Sequence, residues 1–309
     1  MTHGPSPFVH QALPYRSDEE FVEQVVAFAR AGVAAREPVL AALPGPRLQQ
    51  VNQALGVTAR RIQMVDLTVA GRNPGWIIPG VLRMFADAYA RDPGRVRIIS
   101  EAVWPARSAM EYPACVQHEA LVNMAFSGRR VTILCPYDAS RLSPMILADA
   151  ATTHSALLDT AGERPSRAYA PDRILRTYNQ PLVVPPEAAV FDFNLGNVAG
   201  ARSFASTHAL QAGLPQFRAG DLELAIGELA ANSIRHGGGH GTLGVWGADG
   251  HVVCEIRDSG HLTDPLAGRR PVDLSVDGGR GLLLANQLAD LVRLYTSPHG
   301  TVVRLHYKR

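Results

Sequence analysis

A carboxylate and a carboxamide stand four residues apart in the second half of the chain, at Glu228 and Asn232. Residues at this spacing lie one above the other on a helix, so both side chains can reach one ligand. The apolar stripe of the same helix, formed by Leu222, Ile226 and Leu229, lies on a different face. Because asparagine is a poor helix former away from a cap, its place beside Glu228 favours a ligand. The alternative is an ordinary solvated helix face.

A second candidate segment, Asp258-Ser259-Gly260, follows directly on a predicted strand over residues 252–257. A carboxylate at a strand end can accept a hydrogen bond from an exocyclic amine, and a nearby glycine lets a planar base approach the backbone. In the last predicted strand, Thr301 offers a hydroxyl that could hold a water molecule against such a base. The alternatives are a simple turn at Asp258 and a threonine that serves strand propensity.

A third segment, Gly278-Gly279-Arg280-Gly281, opens a predicted helix over residues 280–290. Free amides at a helix N-terminus, with glycines that permit close approach, favour an anion, and Arg280 adds positive charge. A flexible loop before an ordinary helix start is the alternative.

Lysine occurs once, as Lys308, and the other 29 of the 30 basic residues are arginine. A Walker A loop, the ATP site of a eukaryotic-type protein kinase and Schiff-base chemistry each need a lysine. Unless Lys308 serves, these classes are excluded, and ATP would have to be bound by backbone amides, a metal ion and arginine. The net charge of +2 is spread along the chain, which predicts no nucleic acid or membrane partner.

The second half of the chain contains the elements that position these segments. We predict a strand over 190–195, helices near 197–213 and 218–236, strands over 241–247 and 251–257, the helix over 280–290 and a final hairpin. In the last strand Thr301, Val303, Leu305 and Tyr307 share one face, and Arg304 and His306 share the other. This order predicts an α+β fold, a two-layer sandwich with helices on one face of a largely antiparallel sheet.

The first half alternates strand and helix patterns. Ser17 and Glu20 form a capping box at the start of a helix. Buried strands are predicted over 39–43, 62–67, 96–100 and 131–135, with helices near 75–91 and 113–126 between them. Such alternation predicts a mostly parallel α/β sheet covered by helices on both faces.

The length of 309 residues favours two domains, over residues 8–158 and 187–309. Residues 159–186 are rich in proline and arginine and lack sustained periodicity, which predicts a linker. Cys115, Cys135 and Cys254 form no CxxC pair, as is typical of reduced thiols in a cytoplasmic protein. A polar N-terminus and the lack of an apolar run of about 18 residues also predict a cytoplasmic location.

Taken in this order and spacing, the four segments of the second half resemble the N, G1 and G2 boxes and the closing Gly-Thr strand of one ATPase superfamily. It includes gyrase, histidine kinases and the anti-sigma-factor serine kinases, and the resemblance covers residues 187–309. It implies that Asn232 holds Mg²⁺ against the phosphates of ATP and that Asp258 reads the adenine amino group. The other residues that it places at the nucleotide are Arg235, His236, Gly260, Gly279, Arg280, Gly281, Leu282 and Thr301.

Within that superfamily, Asn-Ser-Ile-Arg-His-Gly, at residues 232–237, looks like the N box of the anti-sigma-factor kinases. This resemblance implies that Glu228 is the general base for a serine hydroxyl on an anti-anti-sigma (STAS-type) partner. The protein would thus be an anti-sigma factor with serine/threonine kinase activity that also binds a sigma factor, and a homodimer is compatible with this. In one departure, His261-Leu262 follows Gly260, where the G1 box often reads Asp-x-Gly-x-Gly.

Two other functions remain open on the same fold. A nucleotide-dependent regulator could bind its sigma factor or antagonist without transferring phosphate. An atypical histidine kinase would need a phosphoacceptor histidine on a dimerisation helix just before the ATP domain. His118, followed by Glu119, lies instead inside the α/β half, and residues 159–186 hold no histidine.

Four segments of the first half resemble motifs of the MEDS sensory domain, which has a RecA-like sheet and occurs with regulators in methanogens, methylotrophs and actinobacteria. They are Phe8–Arg16, Glu101–Pro105, His118–Asn123 and Cys135–Asp138. Five of their residues are candidates for a small-molecule pocket at strand ends: His10, Glu101, Trp104, His118 and Tyr137. A His/Glu/His metal site and satisfied core histidines are the alternatives.

Overall fold

The computed structural model describes residues 8–90, 94–159, 162–271 and 280–309, so Gly278 and Gly279 of the predicted anion site lie outside the described residues. The chain divides into two compact units between Tyr178 and Asn179. Within the described ranges, no helix combines the length and the apolar character that crossing a membrane requires.

The first unit is built on a mixed sheet. Its strands are β1 (Phe8–Tyr15), β2 (Val39–Leu43), β3 (Ile62–Asp66), β4 (Val96–Ser100), β5 (Val131–Asp138), β6 (Ala156–Asp159) and β7 (Gly162–Pro165). Its helices are α1 (Asp18–Ala34), α2 (Gly45–Leu55), α3 (Leu67–Ala70), α4 (Pro74–Ile77), α5 (Met84–Ala88), α6 (Tyr112–Ala125), α7 (Pro144–Thr153) and α8 (Pro171–Tyr178). The strand order is β3-β2-β4-β5-β1-β6-β7. All neighbouring pairs are parallel except β6 with β7, which confirms the mostly parallel α/β prediction.

The sequence patterns locate the buried strands of this unit well, because β2 is apolar throughout and wholly buried. The capping box is also confirmed: the Ser17 hydroxyl accepts from the Glu20 amide at 3.2 Å, and the Glu20 carboxylate accepts from the Arg16 amide at 2.7 Å. The pattern does not predict β1, a strand at the middle of the sheet that includes His10 and Gln11.

The helix predicted near 75–91 is interrupted. Between α4 and α5 the chain makes a π-helical stretch, Ile78–Arg83, that contains Pro79. Proline has no N–H to donate and its ring crowds the preceding turn, so an unbroken α-helix is disfavoured at this point.

The structure differs from the prediction over residues 159–186, where β7 and α8 form. The four residues of β7 are all exposed and pair with β6 through the backbone, so they leave no apolar pattern. In α8 only Ile174 is buried. The helix is held through Tyr178, whose hydroxyl donates to Asp149, which also accepts from Tyr112 at 2.8 Å.

In its described residues, the second unit has a five-stranded sheet and three α-helices. Its strands are β8 (Ala189–Asn194), β9 (His240–Ala248), β10 (His251–Asp258), β11 (Leu291–Ser297) and β12 (Gly300–Lys308). Its helices are α9 (Val198–Gln211), α10 (Ala219–His236) and α11 (Gly281–Leu288). The order β11-β12-β10-β9-β8 is antiparallel at every step.

One face of this sheet packs with the helices into an apolar core. Val303, Leu305 and Tyr307 of β12 join Leu222 and Ile226 of α10 in that core, which confirms the predicted faces of the hairpin and of the helix. On the other face, Arg304 pairs with the buried Glu255 and donates to the Val183 carbonyl at 2.7 Å. The end of the predicted linker is thereby attached to the sheet of the second unit.

Candidate functional site

Glu228 and Asn232 lie on the same side of α10, as predicted, and both are half-buried. Within the described residues neither side chain forms a hydrogen bond or an ion pair. Polar side chains that are partly withdrawn from water normally find a partner. A carboxylate and an amide left without one at this place are therefore available to a ligand.

The first turn of α11 packs against this pair at Gly281. A Cβ atom added there would lie 2.6 Å from Asn232 Nδ2 and 3.2 Å from Glu228 Cβ, so a side chain has no room unless Asn232 moves. The glycine lets the N-terminal end of α11 approach α10 closely. Arg280 stands at the N-cap position of α11 and is exposed.

Asp258 is fixed at the end of β10 by two donors. Ser233 on α10 donates its hydroxyl to Oδ2 at 2.6 Å, and the amide of Gly260 donates to Oδ1 at 2.9 Å. A carboxylate has about four lone-pair directions, so these two bonds orient the group and leave it able to accept from a ligand. Ser233 is not among the predicted site residues, and the one signal for it in the sequence is its place beside Asn232.

The loop after β10 is held by hydroxyl groups of the last hairpin. Thr301 donates to the Gly260 carbonyl at 2.7 Å, and the Leu262 amide donates to Thr296 Oγ1 at 3.0 Å and to Thr301 Oγ1 at 3.3 Å. The Thr301 hydroxyl is thus bonded to protein atoms; its predicted contact with a water beside a base remains a prediction. Thr296 was not predicted, because a threonine in a strand carries no distinctive pattern.

The chain beyond Leu262 is fastened at two further points. Arg270 forms two bonds to the Asp264 carboxylate, at 2.5 and 3.2 Å, and Asn286 on α11 donates to the Gly268 carbonyl at 3.1 Å. These contacts join the start and the end of the loop over 262–271, and they tie its end to α11.

A cavity of ≈ 500 Å³ opens between α10, β10, this loop and α11. Its described lining residues are Leu229, Asn232, Ser233, His236, Ile256, Asp258, Gly260, His261, Leu262, Thr263, Asp264, Leu266, Ala267, Gly268, Arg270, Leu282, Thr301 and Val303. Six of the predicted site residues are therefore brought together: Asn232, His236, Asp258, Gly260, Leu282 and Thr301.

The other predicted residues of this site lie outside the described lining. Glu228 and Gly281 meet beside the cavity, next to Asn232. Arg235 is exposed in the last turn of α10. Gly279 lies outside the described residues.

Lys308 stands at the opposite end of β12 from Thr301. At about 3.4 Å per residue the two are about 24 Å apart. Lysine chemistry at this cavity is thus ruled out for the described residues.

Three of the five predicted pocket residues of the first unit share one neighbour. His10, His118 and Tyr137 are buried near the carboxylate of Glu119. The Arg107 guanidinium lies 3.7 Å from the ring centre of Trp104.

Glu101, the fifth residue of that predicted pocket, is buried just beyond the end of β4 and accepts from the Tyr15 hydroxyl at 3.1 Å. Burial raises the pKa of Glu101 to about 8, and the positive charge of Arg47 opposes that rise. Asp138 also raises the pKa and Arg141 lowers it, both by smaller amounts.

Comparisons with known proteins agree with this two-part organisation. Residues 9–155 match the family described as MEDS, the MEthanogen/methylotroph, DcmR Sensory domain. Residues 191–307 match the family described as the histidine kinase-like ATPase domain. The chain therefore carries a MEDS domain in its first half and a histidine kinase-like ATPase domain in its second half, and an ATPase domain of this kind implies nucleotide binding.

One solved structure that the chain resembles contains the RsbU and RsbW domains of Rv1364c from Mycobacterium tuberculosis. The two are 17% identical, with a TM-score of 0.29, and the match covers 39% of this chain and 32% of that one. The chain thus spans about a third of the length of that protein. Among curated proteins, none matches the chain.

Replacing Gly260 by alanine tests how tightly the loop after β10 is packed. A Cβ atom at this position would lie 2.5 Å from the His236 carbonyl oxygen, which the backbone of α10 cannot move cheaply. We expect Gly260→Ala to lower the free energy of unfolding by about 1–3 kcal/mol. Gly220→Ala, on α10 with nothing within 4 Å, is the control and should be neutral or stabilising by up to ~1 kcal/mol. Equal denaturation midpoints for both variants would contradict the packing described.

Glu101→Gln tests the buried carboxyl group by its pH dependence. The pKa of Glu101 rises from its ordinary 4.5 to about 8 on folding, so the native state binds this proton more tightly than the unfolded state does. The stability that the proton contributes is complete below about pH 4 and is lost as the pH rises towards 8, at about 1.4 kcal/mol for each pKa unit. Glutamine does not titrate. The stability of the variant relative to the wild type should therefore increase as the pH rises across this window.

The measurement is the difference in melting temperature between Glu101→Gln and the wild type from pH 5 to pH 8. Taking the difference removes the titration of all other groups, and Glu23→Gln, on an exposed part of α1, controls for loss of a surface carboxylate. A difference that stays constant over this range would show that Glu101 is ionised in the native protein throughout.

Proposed function

We propose that the cavity of the second unit binds Mg·ATP. The observation that carries this proposal is the convergence of Asn232, Asp258, Gly260, Leu282 and Thr301 on one cavity, beside a helix N-terminus that packs on Asn232. When bound, ATP would supply a phosphoryl group and Mg²⁺ would offset the charge of the phosphates. The volume of ≈ 500 Å³ suits a ligand of this size, since such pockets hold about 300–1,000 Å³.

The chain's own residues divide into an adenine end and a phosphate end. Asp258, oriented by Ser233 and Gly260, accepts a hydrogen bond from the adenine amino group. Apolar side chains of the lining offer the base its low-polarity surfaces, among them Leu229, Ile256, Leu262, Leu282 and Val303. A carboxylate held in this way discriminates for a donor at one edge of the base.

At the phosphate end, the amide groups that begin α11 and the guanidinium of Arg280 favour the anion. The Asn232 side-chain oxygen is a ligand of the kind that Mg²⁺ accepts. Because α11 approaches α10 closely at Gly281, the N-terminal end of α11 and the Asn232 side chain lie side by side. The exposed Arg235 in the last turn of α10 adds positive potential outside the cavity, and its neighbour His236 lines the cavity.

We further propose that the protein transfers this phosphate to a serine of an anti-anti-sigma (STAS-type) partner, with Glu228 as the general base. The Cβ and the backbone carbonyl of Glu228 pack against Gly281 beside Asn232, and its carboxylate has no partner among the described residues. In this step Glu228 accepts the serine hydroxyl proton as the serine oxygen bonds to phosphorus. The bond from phosphorus to the leaving ADP oxygen breaks.

In a second candidate function, the nucleotide-bound protein binds a sigma factor or antagonist without phosphate transfer. It is favoured by the position of Glu228 outside the cavity lining. An atypical histidine kinase is disfavoured because the side chain of His118 is buried within α6 and would need local unfolding to accept phosphate. In both favoured versions, the MEDS domain is the sensory element that controls the second unit.

Adding Mg·ATP to the full chain should raise its melting temperature, since a ligand that binds the native state stabilises it by mass action. Asn232→Ala should remove the part of the shift that depends on Mg²⁺, and Asp258→Asn should weaken the preference for adenine over other bases. Asn52→Ala, at an exposed position of α2, is the control for asparagine removal. No shift with millimolar Mg·ATP, together with no heat of binding by calorimetry, would refute nucleotide binding.

Glu228→Gln separates the kinase from the non-catalytic regulator. A general base contributes about 10²–10⁴-fold to the rate, and glutamine keeps the shape of the side chain without its carboxylate. Transfer of labelled phosphate to a bound STAS-type protein should fall by that factor while Mg·ATP affinity stays within about threefold. Glu223→Gln, exposed on the same helix, is the matched control.

Two outcomes of this experiment are informative. If the wild type transfers no phosphate to any STAS-type protein that it binds, the non-catalytic regulator is supported. If Glu228→Gln transfers phosphate at the wild-type rate, the kinase stands but its base is another group.

A further inference from the structure

Four side chains with metal-binding atoms meet in the interior of the first unit. His10 comes from β1, Cys135 from β5, Glu119 from α6, and His154 stands directly after α7. Each is at most 2% exposed. His10 and Cys135 point to the same side of the sheet, because the parallel register places His10 opposite Ile133, two residues before Cys135.

Four of the six distances between their donor atoms match those of a tetrahedral ligand set. Glu119 Oε2 lies 3.4 Å from His10 Nε2, 3.5 Å from His154 Nε2 and 3.5 Å from Cys135 Sγ, and Cys135 Sγ lies 3.4 Å from His10 Nε2. All four donor atoms fall within 4.8 Å of one another. Tetrahedral Zn²⁺, with bonds of about 2.0–2.3 Å, places its ligand atoms roughly 3.3–3.7 Å apart.

In each of the two imidazole rings, Nε2 faces the centre of the cluster. It presents a lone pair there if the proton of the ring is on Nδ1. The His154 Nδ1 lies 2.8 Å from the Ala150 carbonyl, which can only accept, so Nδ1 carries the proton. The His10 Nδ1 lies 3.3 Å from Asn123 Oδ1, and the amide nitrogen of Asn123 donates to three backbone carbonyls, among them that of Thr153 at 2.8 Å. Nδ1 of His10 is therefore also the donor.

With both protons on Nδ1, two imidazole lone pairs point at a carboxylate oxygen that can also only accept. Among the metal-binding groups of the described residues, the fourth at the centre is the Cys135 thiol, which has one proton to offer. His154 Nε2 is buried and makes no hydrogen bond within the described residues. Acceptors that face one another without a donor are unfavourable in a low-dielectric interior. A cation at the centre would satisfy all of them.

We propose that His10, Glu119, Cys135 and His154 form a binding site for one divalent transition-metal ion of the Zn²⁺ type. Thiolate and imidazole ligands select such ions over Mg²⁺ or Ca²⁺. Binding forms a metal–sulfur bond and releases the Cys135 thiol proton to solvent. Because four protein groups fill the coordination sphere, the site has no open position for a reacting molecule.

Two outer contacts fit this assignment. Metal-bound histidines usually donate their remaining N–H to a backbone carbonyl or a side-chain oxygen, which orients the ring. Here the Ala150 carbonyl does this for His154 and the Asn123 side chain does it for His10. This site lies in the MEDS domain and does not depend on the proposed nucleotide site of the second unit.

The test uses the full chain and two probes, Zn²⁺ and Co²⁺. Because the ligands are buried, the protein is unfolded with a chelator and refolded with either ion, and native structure is checked by circular dichroism. We expect one ion per chain by mass spectrometry, a Co²⁺–thiolate charge-transfer band and intense tetrahedral d–d absorption. A higher melting temperature with Zn²⁺ than with chelator is also expected.

Cys135→Ala should lose the charge-transfer band, whereas Cys254→Ala, a substitution of another buried cysteine in the second unit, should keep it. Asn123→Ala leaves the four ligands in place and should weaken metal affinity by about 10–100-fold. The proposal is overturned if natively refolded wild type takes up neither ion at one equivalent, or if both cysteine variants lose the band alike. Metal uptake by the wild type alone decides whether the site exists. The test therefore still works if one of the variants does not fold.

Discussion

The contact between α10 and the first turn of α11 is the constraint on which the candidate nucleotide site depends. At Gly281 the two helices leave no space for a side chain, and this brings the N-terminal end of α11 to Glu228 and Asn232. The same helix, α10, also fixes the other side of the cavity. Its Ser233 orients Asp258, and the carbonyl of His236 leaves room only for glycine at position 260. One helix thereby sets the separation between the proposed adenine end and the proposed phosphate end of the cavity.

The interior of the first unit contains buried polar groups as well as an apolar core. Withdrawing a carboxylate from water is costly unless it is paired, protonated or bound to a metal. Glu101 and Glu119, both about 1% exposed, meet this cost in different ways. Burial keeps Glu101 protonated up to about pH 8. Glu119 has nitrogen and sulfur atoms 3.4–3.5 Å from one carboxylate oxygen, which is the separation of ligand atoms that share one metal ion. An ion would offset the burial of the Glu119 carboxylate, whereas protonation already does so for Glu101.

Most elements of the fold could be predicted from the sequence because their apolar residues recur with the period of a strand or a helix. Where few apolar residues are buried, the prediction failed: β7 is exposed and is held by backbone pairing and by polar contacts such as that of Glu163 with Gln11. In α8 only Ile174 is buried, and the Tyr178 hydroxyl holds the helix to Asp149. The metal cluster shows a different limit. The sequence patterns indicate His10 as a candidate but give no signal for Cys135 or His154 as its neighbours, since their proximity arises only when β1, β5, α6 and α7 are assembled. Spacing along the chain carries no trace of it.

The departure from the usual G1 pattern, with leucine where a second glycine often stands, is accommodated by the way the loop is held. Leu262 is fastened through its backbone amide, which donates to Thr296 and Thr301, and a backbone bond places no demand on the side chain. That side chain is free to line the cavity, where it adds apolar surface for a planar base. Close approach of the backbone is needed two residues earlier, at Gly260, and there the glycine is kept. The structure thus separates two tasks of the G1 segment, packing against α10 and facing the ligand, and only the first requires glycine in this chain.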